Sequence, residues 1–261
     1  MARSIEFLGL PGSGKSTISD AFKTELRKRG FRVSSARELL HAQECNNPWH
    51  IVYSKFLIIF NILRYGGRYK FVENQKDAYF NFFLRNHPRY VEICNDLILK
   101  LPYSVDLKTQ MIRWLKDEGA GWSKYKKEVN SKFIYLNDEG FLHRALTYFS
   151  FNYDNVVFRN YMNLCPKHDI VVVVNTPVNI AMDRRLSNYD YTFKPMGISG
   201  TGNIIKMYKL FDSIISKITE SICHEKIIYL DGTRHVFFNV EILNKYIKMF
   251  SNYNTFTNSN G

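Results

Sequence analysis

Cysteine is scarce. The 261 residues hold four, at Cys45, Cys94, Cys165 and Cys223, far apart and with no C-x-x-C pair. That spacing offers no disulfide framework and reads as reduced, mostly buried thiols of a cytoplasmic protein. No H-E-x-x-H segment or other His/Cys cluster is present to hold zinc. Long apolar runs are missing too. The most apolar window, Phe56–Leu63 (FLIIFNIL), is far shorter than the ~20 residues of a membrane span and lies between Lys55 and Arg64. It is expected as a buried helix, and no membrane span is expected anywhere. The N-terminus runs straight into a strand-like segment with no signal-peptide pattern, and no internal repeat is visible. Acidic residues are the last shortage. Against 36 Lys and Arg stand 24 Asp and Glu, a formal net charge of +12. Such a balance implies anionic partners: phosphorylated small molecules, nucleic acid or an acidic membrane surface. Charge does not choose among them.

What is present starts with core material. The chain is 45% hydrophobic, and its length suits one α/β domain carrying an insertion. Residues Phe7–Thr17 read FLGLPGSGKST. Glycine loses more backbone freedom on folding than any other residue, so a cluster of them implies unusual dihedrals or a close approach. Gly9, Gly14, Lys15 and Ser16 fit G-x-x-x-x-G-K-[ST], with Pro11, Gly12 and Ser13 between and Thr17 following. Backbone N–H groups of such a loop wrap an anion, and the helix starting near Lys15 aims its positive dipole end at the same point. Lys15 reaches terminal phosphates, and the Ser16 hydroxyl suits Mg²⁺. The flanks agree: Ser4–Leu8 reads as a buried strand. Ile18, Ala21, Phe22 and Leu26 then take helical spacing up to Gly30. The loop is therefore expected to hold a nucleoside triphosphate with Mg²⁺.

Further along, Phe31–Ser35 reads as a strand, making a right-handed parallel unit with the first. Residues 40–130 are expected as a helical insertion, with helices at Trp49–Leu63, Gln75–Asn86, Pro88–Lys100 and Ser104–Lys116. Breaks are expected at Gly66-Gly67, Pro88, Pro102 and Gly119–Gly121. Strands return at Phe133–Asn137, at Ile170–Asn175, which is apolar throughout, and at Lys226–Leu230. Helices are expected at His143–Phe151, Asn155–Leu164 and Pro177–Leu186, then from the Asn188–Gly202 loop to about His224, and last at about Val236–Phe250. Residues 1–250 would form one domain, and Ser251–Gly261 a flexible tail. The alternation predicts a doubly wound, five-stranded parallel sheet with ligands at the carboxyl ends of its strands.

Those ends carry the candidate chemistry. After FIYLN come Asp138 and Glu139, placed to hold Mg²⁺ and its waters or to take a proton from an acceptor hydroxyl. Helix capping by Asp138 is the competing role. Arg144 follows on the next helix, within reach of an anionic group or else a surface charge. After IVVVVN, Arg184 and Arg185 precede a glycine-containing loop that suits closure over a triphosphate; placement at a helix C-terminus competes with that role. After KIIYL, Asp231 and Gly232 begin a turn that would line an adenine pocket with its backbone if the last strand neighbours the first; a plain turn is the alternative.

Together these stretches resemble the P-loop small-molecule kinases of the nucleoside and nucleotide kinase superfamily, most of all the thymidylate-kinase-like branch. VVVNTPVNIAMDRRLSN resembles that family's strand, helix and lid segment, IIKMYKLF its following helix with Tyr208 at the aromatic place, and IIYLDGT its last strand and adenine-side turn. The resemblance covers about residues 1–35 and 133–250, and it implies an ATP-dependent phosphotransferase with a lid. Where a thymidylate kinase carries Asp-Arg, this chain carries Asp138-Glu139. A second carboxylate repels a phosphate acceptor and suits a hydroxyl. The expected acceptor is a small, anionic or ring-containing molecule. Arg64, Arg68 and Lys70 with Tyr65, Tyr69 and Phe71 in the insertion are candidates for its pocket. The same aromatic and basic stretch leaves a polynucleotide end kinase open, and a nucleotide-dependent ATPase or switch acting on a protein partner is a third reading.

Overall fold

The computed structural model describes residues 3–41, 68–128, 133–186, 196, 198 and 200–256. Five strands make one sheet: β1 (Arg3–Gly9), β2 (Arg32–Ser34), β3 (Phe133–Asn137), β4 (Ile170–Asn175) and β5 (Ile227–Asp231), in the spatial order β2-β3-β1-β4-β5. Every pairing is parallel. Ile5 stands beside Leu136 on one side and Ile170 on the other, and Val172 beside Ile228. Parallel neighbours need crossover helices, and these cover both faces of the sheet.

One face carries Ile5, Phe7, Ile134, Leu136, Val172 and Val174, packed against α1 (Lys15–Lys28) and α10 (Val236–Phe256). Helix α1 buries Ile18, Phe22 and Leu26, one apolar stripe at four-residue spacing. Full burial of each contributes roughly 1.5–3 kcal/mol of transfer free energy. Gly30, at φ 83, closes the turn after the helix as expected. The other face carries Leu8, Phe133, Tyr135, Val171 and Val173 and holds the larger core. Over it lie α3 (Arg68–Asn86), α4 (Pro88–Lys100), α5 (Val105–Glu128), α6 (Phe141–Tyr148), α7 (Asn155–Leu164) and α9 (Thr201–Glu220). The short helices α2 (Ala36–His41) and α8 (Val178–Leu186) complete the order.

Most boundaries fall near where the sequence puts them, but α3 starts at Arg68, seven residues before the expected Gln75, and three further points differ. The break expected at Gly119–Gly121 is absent, because α5 continues through both glycines to Glu128. A Cβ on Gly119 would come within 2.6 Å of the Phe83 ring, and one on Gly121 within 2.6 Å of Ala36 Cα. These glycines let α3 and α2 approach α5 closely; they do not end it. The last helix runs past Phe250 to Phe256, so the flexible tail expected from Ser251 is helical over its first turn. Helix α2 was not anticipated. The helix expected at Trp49–Leu63 and the Gly66-Gly67 break lie outside the described residues, as does most of the Asn188–Gly202 loop. Cys94 and Cys165 are buried free thiols and Cys223 an exposed one. Among the described residues no helix is long and apolar enough to cross a membrane.

Candidate functional site

The loop between β1 and α1 sits where β1, β3 and β4 end. Gly12 has φ 80, and a Cβ there would lie 2.1 Å from the Ala181 carbonyl oxygen of α8. No side chain fits that gap, so α8 closes directly onto the loop backbone. Gly14 is the N-cap of α1 and makes no side-chain cap. The first amides of α1 therefore remain for an anion. Two hydrogen bonds brace the loop from outside and one closes it from within. Thr176 Oγ1 donates to the Ser13 carbonyl at 3.0 Å, Tyr208 Oη to the Pro11 carbonyl at 3.0 Å, and the Ser13 amide to the Leu10 carbonyl at 3.0 Å. The Ser13 hydroxyl is buried with no hydrogen-bond partner among the described residues.

Lys15 opens α1 and is 6% exposed. Its Nζ donates to the Leu10 carbonyl at 3.1 Å. Burial lowers its pKa from 10.5 to about 8, with Glu139 and Asp138 opposing the fall and Arg185 adding to it. A cation so poorly solvated gains strongly from an anion brought beside it.

The next residue of α1, Ser16, donates its hydroxyl to Asp138 Oδ2 at 3.0 Å. The two candidates for Mg²⁺, one before each of two adjacent crossovers, thus meet. Both are hard oxygen donors. No group of three or more His, Cys, Asp or Glu side chains suited to a metal occurs among the described residues. Glu139 is half exposed, with Oε2 3.9 Å from Arg144 Nη1 and Oε1 4.0 Å from His143 Nε2. The capping role open to Asp138 is not what it does: Gly140 is the N-cap of α6.

The two arginines of α8 divide. Arg184 Nη1 donates to the Gly232 carbonyl at 2.8 Å, tying α8 to the turn after β5. Arg185 packs over Gly12 and adds its charge to the field at Lys15. The turn is held further by the Gly232 amide on the Asn175 carbonyl at 2.7 Å and by Asn239 Nδ2 on the Asp231 carbonyl at 2.8 Å. The Asp231 carboxylate accepts from the Thr233 hydroxyl and amide, which hold its pKa below the usual carboxylate range. Beside the turn opens a cleft of about 640 Å³, lined by Leu10, Asn175, Thr176, Asp212, Tyr229 and Asp231 among others.

Three residues at the site carry no candidate role from the sequence. Glu6 on β1 is fully buried. Its Oε1 accepts from the His143 amide at 2.9 Å, and its Oε2 lies 2.9 Å from His168 Nδ1. It thereby seats the first turn of α6 under the Asp138–Gly140 corner. His168 stands among the rings of Trp122, Tyr135 and Phe141. A glutamate inside SIEFL was the legible signal for this pair. Glu118 on α5 is 5% exposed, accepts from Asn137 Nδ2 at 3.1 Å, and has Oε2 3.6 Å from Arg144 Nε. Its neighbours Asp117 and Lys116 pair with Lys76 and Asp77, so in sequence it reads as one more charge of an ion-paired helix. The Arg64 and Tyr65 proposed for an acceptor pocket, and the side chains of Arg68, Tyr69, Lys70 and Phe71, lie outside the described part.

Comparison with protein-family models and with curated proteins returns no match for this chain.

Proposed function

We propose that the chain is an ATP-dependent phosphotransferase of the P-loop kinase type, moving the γ-phosphoryl group of Mg-ATP to a hydroxyl of a small molecule. One observation carries the reading: the Gly9–Thr17 loop, with Gly14 as the uncapped start of α1, brings a lysine, a hydroxyl and a carboxylate together. There Lys15 is buried and Ser16 is hydrogen-bonded to the carboxylate of Asp138. The sequence pattern and the strand–loop–helix context add to it.

In this reading the amides of the loop and of the α1 N-terminus hold the β- and γ-phosphates. Lys15 and Arg185 supply cationic charge at the transferring group. Arg184, already bonded to the Gly232 carbonyl, fixes the turn beside the cleft that receives the base. Ser16 and Asp138 hold Mg²⁺, which neutralises charge on the phosphate oxygens. The acceptor oxygen forms its bond to the γ-phosphorus as the bond to the β-bridging oxygen breaks and ADP leaves. With Asp138 engaged by Ser16, Glu139 takes the hydroxyl proton. Transfer of this kind asks chiefly for positioning and charge stabilisation.

Calorimetry with Mg-ADP tests the site, and ADP release across a panel of sugars, nucleosides and their phosphates tests the reaction. Micromolar Mg-ADP binding that Lys15→Met removes is the expected result. A wild-type chain that binds no Mg-ADP, or that releases no ADP with any acceptor, would sink the proposal.

A further inference from the structure

Arg144 stands between two carboxylates of different character. On its inner side is Glu118, buried on α5; on its outer side is Glu139, half exposed at the end of β3. The guanidinium lies over the Trp114 ring, its Cζ 4.7 Å from the ring centroid. Neither carboxylate has captured it. The gaps are 3.6 Å and 3.9 Å, and the facing inner atoms, Arg144 Nε and Glu118 Oε2, are both buried without a hydrogen-bond partner among the described residues. A swing of the guanidinium of about 1 Å across the indole face would turn either contact into a charge-assisted hydrogen bond.

We propose that Glu118 is a positioning residue that apportions the charge of Arg144 between the helical insertion and the carboxylate Glu139 beside the transferring phosphoryl group. The proposal rests on the kinase reading and concerns the same site. Arg144 on Glu139 offsets the repulsion between that carboxylate and the γ-phosphate. Arg144 drawn inward leaves an unpaired negative charge facing the transferring group. Because transfer through a loose transition state asks little of the base, charge decides the sign: withdrawal slows turnover.

The switch is the protonation of Glu118. Burial raises its pKa from 4.5 to about 8; Arg144 opposes the rise, and Glu6 on β1 and Glu139 add to it. Other titratable groups see the same carboxylate: Tyr135 of β3, Tyr148 of α6, Cys94 of α4 and Cys165 after α7. Burial raises the pKa of all four, so they stay neutral across the relevant range. His143, next to Arg144, is pushed down by burial, then by Lys15 and Arg144, and is neutral as well. Burial alone would lower the Arg144 pKa, but Glu118 and Glu139 outweigh it, so the guanidinium keeps its charge. Near neutral pH Glu118 is protonated and Arg144 serves Glu139. As pH rises through about 8, the new charge on Glu118 draws Arg144 inward.

The test uses the full chain and hydrolysis of Mg-ATP with water as acceptor, followed from about pH 6 to about pH 10. In the wild type, kcat is expected to fall with a midpoint near 8. Glu118→Gln, which mimics the protonated acid, should match wild-type kcat within about twofold at neutral pH and show no fall. The kcat/KM profile should fall on the alkaline side in both proteins, because Lys15 titrates in the free enzyme while bound phosphate keeps it charged. Trp114 gives a second readout. The fluorescence difference between wild type and Trp114→Phe should step with the same midpoint, and Glu118→Gln should erase the step. A kcat fall or Trp114 step that survives in Glu118→Gln would overturn the proposal, as would a flat wild-type kcat. If the wild type binds no Mg-ADP, the kinase reading fails and takes the catalytic half with it. The Trp114 step then decides alone whether Glu118 moves Arg144.

Discussion

Lys15 in the loop after β1 and Glu118 on α5 are opposite charges in the same predicament. Burial drives the lysine down to about 8 and the carboxylate up to about 8. The lysine sits in a backbone loop where, among the described residues, the acidic side chains acting on it are those of the Asp138–Glu139 corner. The glutamate sits in a buried wall between Asn137 and Arg144, with Tyr135 and Tyr148 feeling its charge. The loop can be satisfied by a ligand entering from solvent, whereas the wall is satisfied only from within. That difference explains why the cradle is written in one contiguous stretch of sequence and the wall is not.

The comparison breaks most decisively at Lys15. Lys15→Met should lower Mg-ATP turnover at least about a hundredfold while raising the melting temperature at neutral pH. The unfolded lysine titrates at 10.5 and the folded one near 8, so below 8 the fold carries the full cost of the buried charge. The cost is relieved only between 8 and 10.5 as pH rises. The difference corresponds to roughly 3 kcal/mol, or several degrees by scanning calorimetry. An unchanged or lower melting temperature would mean the buried ammonium is better satisfied than its burial implies.

Glu118→Gln should show the mirror dependence. The cost of its charge is absent below pH 4.5, builds between 4.5 and 8, and is complete above 8. The variant should melt with wild type at about pH 4 and several degrees higher at about pH 9. Melting curves that run parallel at all pH values would show that the carboxylate titrates normally.

Gly12→Ala separates the regions by shape. A methyl group there meets the Ala181 carbonyl, at a φ that side chains disfavour, and costs about 1–3 kcal/mol. Mg-ADP affinity should drop about tenfold with it. Tyr208→Phe is the mildest change. It removes the bond to the Pro11 carbonyl, about 1 kcal/mol, and should weaken Mg-ADP about threefold by calorimetry. Equal affinity would mean the loop needs no brace from α9.

The same contrast governs what the sequence disclosed. FLGLPGSGKST carries spacing, hydroxyl and lysine in consecutive residues, and its strand and helix flank it, so loop and setting were readable together. The Ser16–Asp138 contact follows once β3 is known to lie beside β1, a neighbourhood that the alternation of strands and helices does not give. Which of Arg184 and Arg185 faces which group was not readable, because helical phase at the end of α8 depends on how that helix docks. Glu6 was visible as a charge inside an apolar strand but lacked its partner until His168 was placed. Glu118 and Arg144 come from separate helices brought together by the packing of α5 on α6. The break expected at Gly119–Gly121 failed for a related reason. A glycine reads as punctuation until the ring or backbone pressed against it is known.

Helix α5 runs unbroken over 24 residues, on the order of 36 Å. Its glycines seat it against α2 and α3 at mid-length, and Glu118 lies just before them. A side chain larger than glycine at either position would push the helix off Phe83 or Ala36 and carry Glu118 with it, so the spacing between Glu118 and Arg144 depends on two missing methyl groups.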